Sequence, residues 1–422
     1  MTFWQKLKTV FTDSTLRKKI LFVLFVLIAF RLLASIPIPG VDIFQLQSLL
    51  QGNQFFGLLN IFSGGGLSTL SLAMLGVGPF ITASIIMQLL TVMSPRLKSM
   101  YHEEGAMGRE RFTQISRVLT IPLALVQGFG LIMLLQQQGV LVNPTFLQTA
   151  ANLAAITAGS LILTWLGELI SEYGIGNGVS LLIFAGIVAA LPSQISQFSF
   201  IFDVAELPLY LGFLALSIVV VAGVILVSEA ERLVPTTYAN TSRQGSGAGT
   251  VHSFLPLRIN MAGVMPIIFA LAILLFPQLL ISFLANSTSG FAVSLVGAMN
   301  WFLNSTAVYS IFYFLLVFGF TYFYTAITFD SEAVATNLQK NGAFIPGIRP
   351  GVATTAYISK IVSRVTFLGA LFLGLVAVLP ILMQQLTGIA TLAIGGTALL
   401  IAVSVILDLL KKIDGAIAMR QY

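Results

Sequence analysis

Long apolar runs separated by short polar stretches set the rhythm of this chain. Ten segments reach or approach membrane length: Ile20–Ile36, Leu67–Met93, Val118–Gln136, Thr149–Gly167, Val179–Leu191, Pro208–Ser228, Ile259–Leu284, Val308–Phe329, Ile361–Met383 and Ile389–Leu410. They predict an all-α membrane protein of ten transmembrane helices. The second segment cannot be one straight helix. Around it, the stretch Asn60–Ser94 opens with Gly64-Gly65-Gly66, runs through Leu67–Leu75, breaks at Gly76-Val77-Gly78-Pro79 and resumes over Phe80–Met93. Gly78 is costly inside a helix, and Pro79 lacks an N–H and turns the preceding residue away from helical geometry. Hydrocarbon tolerates the freed backbone groups only where protein or water covers them. The break is therefore expected to line a path, although a kinked helix packed in a bundle fits the same local pattern.

Two further segments are irregular. Val179–Leu191 has 13 residues, covering about 20 Å of a ~30 Å hydrocarbon core. Glu172–Gly178 before it reads as a flexible entry, with Asn177 or Ser180 near the helix cap. The seventh segment carries Pro266 and Pro277. Interrupted segments thus fall in both parts of the chain. Five spans followed by five, an odd number in each half, predict two inverted halves, 1–205 and 206–422.

Charge orients the pattern. Only 9% of the 422 residues are charged and 57% are hydrophobic, which leaves no room for a sizeable aqueous domain. By parity, the inner side holds Lys6, Lys8, Arg17, Lys18, Lys19, Arg96, Lys98, Arg109, Arg111, Arg117, Arg232, Arg243, Arg258, Lys340, Arg349, Lys360, Lys411, Lys412 and Arg420. The outer loops, around 37–66, 137–148, 192–207, 285–307 and 384–388, contain no Lys or Arg, so both termini are expected in the cytoplasm. The first apolar run lacks a small-residue cleavage pattern and reads as a retained span. The net charge of +6 suits anionic lipid. Yet the inner loops 94–117, 229–258 and 330–360 are longer than bundle connections need, and they mix basic residues with Gly, Pro and aromatics. They are expected to dock a cytoplasmic partner.

Reactive chemistry is scarce. There is no cysteine, and His102 and His252 lie in separate loops without metal-ligand spacing. Glu168 and Asp408 fall at span ends, where solvation or capping is the ordinary role. Arg31 is the one charge deep in a span; pairing inside the bundle is the favoured expectation, and snorkelling from the first helix is the alternative. Gly174-Ile175-Gly176-Asn177-Gly178 lacks the spacing, strand and Lys of a phosphate loop, so no nucleotide binding is expected. No nucleophile–base set is present; the chain reads as no enzyme, with neither cofactor nor metal. A solute transporter would share the broken helices and inverted halves, but coupled transport generally needs ionisable groups at the midplane. The candidate lining is instead aliphatic: Val77, Ile81, Val179, Ile183, Ile268 and Ile401. Singly, each reads as ordinary packing. As a set, they make a dry collar that stops ions and yields around a passing chain.

The loop Gly342-Ala343-Phe344-Ile345-Pro346-Gly347-Ile348-Arg349-Pro350-Gly351 resembles that of the SecY family, the channel subunits of the bacterial protein translocon. Ile36–Gly40, Phe62–Gly65, Trp165–Glu168, Gly174–Gly178 and Asn260–Val264 agree in the same order, so the resemblance runs from about residue 15 to 410. It implies an hourglass channel with a lateral gate between spans two and three on one side and seven and eight on the other. It makes Phe62–Leu75 a half-helical plug, with Phe62, Gly64, Gly65, Gly66, Leu70 and Leu72 as its marked residues. The six aliphatics match the pore ring, and Gln88, Ser116 and Asn260 match polar gate positions. Arg349, with Pro350, Gly351 and Arg243, would dock the motor ATPase SecA or the ribosome. SecE and SecG as small membrane subunits, preproteins bearing signal sequences, and the bacterial plasma membrane complete what the resemblance implies. Two departures stand out: the loop Tyr238–Val251 has Arg243 as its single basic residue, and Ser116 stands where Thr is familiar.

Overall fold

A computed structural model describes residues 12–39, 46, 59–60, 63–102, 104–141, 145–201, 207–238, 252–284, 289–387 and 390–418. Phe62 and Arg243 lie outside the described residues. The helices are α1 (Ser14–Leu33), α2 (Gly78–Met93), α3 (Pro95–His102), α4 (Gly105–Gln137), α5 (Phe146–Tyr173), α6 (Gly178–Ile201) and α7 (Leu207–Glu229). Two strands follow, β1 (Glu231–Tyr238) and β2 (His252–Arg258), then α8 (Met265–Leu274), α9 (Phe276–Leu284), α10 (Gly290–Asn304), α11 (Thr306–Thr328) and α12 (Ser331–Lys340). Strand β3 (Ala343–Phe344) and helices α13 (Val352–Thr387) and α14 (Ala390–Ala418) complete the order. Six described helices are long and apolar enough to cross a membrane, or seven if the bent α2–α3 pair is one span.

Local chemistry sets the helix ends. The Asp13 carboxylate accepts from the Thr15 N–H at 2.8 Å to start α1. Thr145 and Gln148 form a reciprocal capping box at α5. Pro79 sits in the first turn of α2, where its missing N–H costs nothing. At the other end Ser94 is extended ahead of Pro95, and the chain bends by 115° into α3. The Asn177 side chain accepts from the Ser180 N–H at 3.3 Å, which makes Asn177 the cap of α6. That helix runs to Ile201 with Pro192 inside it, past the Leu191 end of the apolar segment. The expected break in the seventh segment falls at Leu275, beside Pro277.

Two elements depart from the sequence reading. Residues 290–304, expected as part of an outer loop, form α10. The loops expected on the inner side hold a three-stranded antiparallel sheet of order β2-β1-β3, so the fold is mainly helical rather than all-α. Its register pairs Val234 with Leu255, Pro235 with Phe254 and Thr237 with Phe344. Pro235 lies where β3 does not reach, so on that edge there is no ladder bond to lose.

The chain divides into two compact units. The first comprises Met1–Phe213, Leu271–Tyr309 and Pro380–Tyr422. Its main cluster joins Leu67, Leu70, Met74 and Leu75 to Leu131, Leu135 and Ile156. Lipid tails are as apolar as leucine, so close packing and hydrogen bonds must hold such contacts. Glycines supply the clearance: a Cβ on Gly178 would strike the Gly167 carbonyl where α6 starts against α5. Arg117 of α4 and Glu168 of α5 form an ion pair, with Nε to Oε1 at 3.3 Å. Glu168 thus joins two helices rather than standing solvated at a span end. The second unit comprises Leu214–Ala270 and Ser310–Leu379. There Val234, Leu257 and Ile345 pack under the sheet against Ile358, Ile361 and Val365 of α13.

Candidate functional site

The segment before α2 is the most unusual backbone in the first unit. Residues 63–77 form successive turns, not the expected half-helix. The reason is conformational: Gly64, Gly65, Leu70 and Gly76 have φ of 69°, 84°, 41° and 57°, and a right-handed helix cannot propagate through left-handed residues. Leu70 is the one non-glycine described with positive φ, and it is fully buried. The turns are fastened to the chain after α1. Ile38 N–H donates to the Leu70 carbonyl at 2.8 Å and Leu72 N–H to the Ile36 carbonyl at 3.1 Å. The Thr69 hydroxyl donates to the Ala34 carbonyl at 2.8 Å. The motif Ile36–Gly40 therefore supplies the strand-like partner of this segment through its described residues.

Three helices close around the same turns. The Ser160 hydroxyl of α5 donates to the Gly76 carbonyl at 2.9 Å, and Gly159 abuts the Leu72 carbonyl so closely that a Cβ would overlap it. On α6, Gly186 meets the Gly64 backbone with the same absence of clearance. The Phe30 ring of α1 fills the place a Gly64 side chain would take, and Arg31 Nη1 lies 3.3 Å from the corresponding point on Gly65. Gly66 folds back on Ala73 and the Ser71 hydroxyl. Leu72 is partly buried against the main cluster.

The aliphatic candidates sit as ladders. Val77 and Ile81 share one face of the start of α2, and Val179 and Ile183 share one face of α6, each pair four residues apart. Val77, Ile81, Ile183 and Ile401 are buried in the first unit, with Val179 half-buried. Ile268 is buried in the second unit; its neighbour Phe269 sets its ring edgewise on Phe320 and Tyr324, at 5.9 and 5.8 Å. In the first unit Ile81 also lines a cavity of about 40 Å³ with Leu75, Gly78, Leu131, Leu275 and Leu279. Thr82 and Gln127 give it a polar point, where the amide Nε2 donates to the hydroxyl at 3.3 Å.

The gate candidates differ in how they are satisfied. Ser116 is buried on α4 and donates to the Phe112 carbonyl at 3.0 Å. Gln88 on α2 keeps a buried Oε1 with no partner among the described residues. In the second unit the Asn260 Nδ2 donates to the Gly263 carbonyl at 3.3 Å, while its Oδ1 is buried without a partner among the described residues. Each orphaned carbonyl oxygen costs on the order of 1–3 kcal/mol, so neither is neutral filling.

On the second unit, Ile345 is buried beneath the loop that displays Arg349 and Pro350. Gly347 and Gly351 turn the backbone at φ 80° and 100° on either side, and the Thr354 hydroxyl ties the Arg349 carbonyl at 3.0 Å. The outer face of the adjoining sheet was not foreseen. Leu233, Pro235, Phe254, Pro256 and Phe344 are all exposed on it, while Val234, Thr236 and Leu257 point inward. The alternation Leu233-Val234-Pro235-Thr236 carried that signal, masked by proline.

The comparisons agree with this architecture. The family model for SecY matches residues 71–410. The protein translocase subunit SecY of Thermus thermophilus is 41% identical over 100% of this chain and 96% of its own length. A solved protein-conducting channel aligns with a TM-score of 0.64 at 19% identity, covering 93% of this chain and 91% of that one. Sec61 in the canine ribosome–channel complex from the endoplasmic reticulum aligns at 0.60 and 18%, covering 93% and 91%.

Proposed function

The chain belongs to the SecY family of protein translocase subunits, and from that membership we propose how its residues conduct a polypeptide. It is a multi-pass membrane protein and the channel subunit of a protein translocase, not an enzyme. In our reading ten spans form two inverted halves, 1–205 and 206–422, around an hourglass path. In the same reading it lies in the plasma membrane with both termini in the cytoplasm, an orientation that the distribution of Lys and Arg supports. The solute-transporter reading loses its support, because the near-full-length relatives are translocase subunits.

Val77, Ile81, Val179, Ile183, Ile268 and Ile401 form the ring at the waist. The observation that carries this is the pair of aliphatic ladders on α2 and α6, free of any ionisable group. Such a ring excludes ions by refusing water, and it makes no polar contact that a moving chain must break. Within the turns, the described residues 63–75 of the segment Phe62–Leu75 act as the plug, resting on Gly186 and Gly159. Gln88, Ser116 and Asn260 line the lateral gate, through which a signal-sequence helix passes into lipid. The unpartnered amide oxygens of Gln88 and Asn260 favour this, since a gate that opens gives each a chance of a donor. SecE and SecG complete the membrane complex. SecA or the ribosome docks at Arg349, Pro350 and Gly351, beside the apolar sheet face, and supplies the energy.

A secretory chain stalled in transit should crosslink to a photoreactive residue at Ile183 and not to one at Phe25, which is exposed on α1. Equal yields at both positions would sink the assignment. Replacing Ile81, Ile183 and Ile268 together with Gly should raise the resting ion current in planar bilayers severalfold. An unchanged current would remove these residues from the seal.

A further inference from the structure

Helix α10 has no role in the path described above, and its chemistry is unusual for a connection between spans. Its inward face repeats Ala292, Leu295, Val296, Met299, Phe302 and Leu303 at helical spacing. This face packs within the first unit, where the Phe302 ring lies 6.1 Å from Tyr309 at the start of α11. The exposed arc opposite carries large apolar side chains too, with Phe291 79% exposed, Val293 60% and Trp301 64%, interspersed with small and polar residues. No Asp, Glu, Lys or Arg occurs between Arg258 and Asp330, so the outward face has no charge to hold it in water. Its polar groups are Ser294, Asn300 and Asn304.

The chain fixes where this helix can lie. Ser305 alone separates it from α11, and the Ser305 N–H donates to the Trp301 carbonyl at 2.9 Å. Trp301 is thus within about one helical turn of a helix of membrane-spanning composition. At the other end only residues 285–289 join it to α9, a tether of at most ~18 Å. A helix of 15 residues held this close to two spans cannot reach far from the bilayer surface. Tryptophan favours the boundary between headgroups and acyl chains, where its ring is apolar and its N–H stays wet.

We propose that α10 is an interfacial membrane anchor, lying along the outer bilayer surface with Phe291, Val293 and Trp301 sunk among the lipids. The inference rests on the multi-pass reading. Lacking charge, the helix gains from apolar burial alone, so zwitterionic lipid serves as well as anionic lipid. Anchored there, it holds the junction of the seventh and eighth spans at a set depth.

The test uses the full chain in phosphatidylcholine vesicles, with Trp4→Phe and Trp165→Phe leaving Trp301 as the reporter. Lipids brominated near the glycerol should quench Trp301 about twofold more than lipids brominated near the chain ends. Quenching by aqueous acrylamide without any by bromolipid would overturn the proposal by placing the face in water. Protection from both quenchers would overturn it in favour of a covering protein chain, and stronger quenching by the deep label would make α10 a buried segment. A companion variant, Trp4→Phe with Trp301→Phe, leaves Trp165, which is exposed on α5 and should be quenched by bromolipid in any case. Failure there would overturn the multi-pass reading, and the anchor with it. Should the Trp301 reporter not fold, a bimane on Ala298→Cys in this cysteine-free chain reads the same depth, with the same outcomes.

Discussion

Gly186→Val is expected to make the resting channel leak ions. Gly186 faces the Gly64 backbone with no room for a Cβ, and the obstruction cannot rotate away, because all three nearest atoms are main chain. One side must move. Helix α6 is continuous over 24 residues, whereas 63–77 is a run of turns with four left-handed residues and few ladder bonds. The turns are the weaker partner and should be the part displaced. Overpacking of this kind costs about 1–3 kcal/mol, which multiplies the ratio of unseated to seated plug by roughly 5–150. Planar-bilayer current without any partner should rise accordingly. Gly186→Ala should give a smaller rise, since its single methyl asks for less displacement. Gly212→Val is the control: a Cβ there meets nothing, so the current should stay at its wild-type level. A sealed Gly186→Val channel would mean that the turns are not the plug, or that they do not rest on α6.

The apolar rhythm was enough to place the main helices and to locate two breaks, because proline and glycine punctuate a membrane helix unambiguously. Pro79 and Pro277 each begin a new helix where the sequence suggested one. The turns over 63–77 were harder to read. Three adjacent glycines announced a flexible approach, but not that the next turn would be left-handed at Leu70, which local propensity argues against and burial imposes. The sheet escaped notice because Pro235 and Pro256 speak against strands. What permits them is tertiary: β2 is an edge, and β3 covers only Thr237 and Tyr238. Helix α10 was legible in principle, since Ala292, Leu295, Val296, Met299 and Phe302 follow the helical period. A search for membrane-length runs passes over a 15-residue helix, and an uncharged outward face hides its amphipathic character. The decapeptide around Arg349 was legible as a family mark, but not the sheet and Ile345 that hold it rigid.

Arg349→Glu is expected to stop motor-driven export while the protein still accumulates in the membrane. The side chain is exposed and forms no ion pair among the described residues, so nothing in the fold depends on its charge. Its display depends on the backbone instead. Gly347 and Gly351 set the turn, Thr354 holds the Arg349 carbonyl, and Ile345 roots the loop in the cluster shared with α13. Reversing an exposed charge on such a loop should alter stability by no more than about 0.5 kcal/mol. The partner experiences a larger change, because an attraction becomes a repulsion at the same position. A loss of about 1.4 kcal/mol already lowers affinity tenfold, and reversal of a contact charge should exceed that. ATP-driven transport of a preprotein into vesicles should therefore fall more than about tenfold. Arg349→Lys keeps the charge but gives up the planar fork, so it should retain part of the rate. Added salt weakens the wild-type attraction and the variant's repulsion alike, and should narrow the gap between them. Full transport by the Glu variant would take the motor away from this loop and leave the apolar face of the neighbouring sheet as the surface on which it acts.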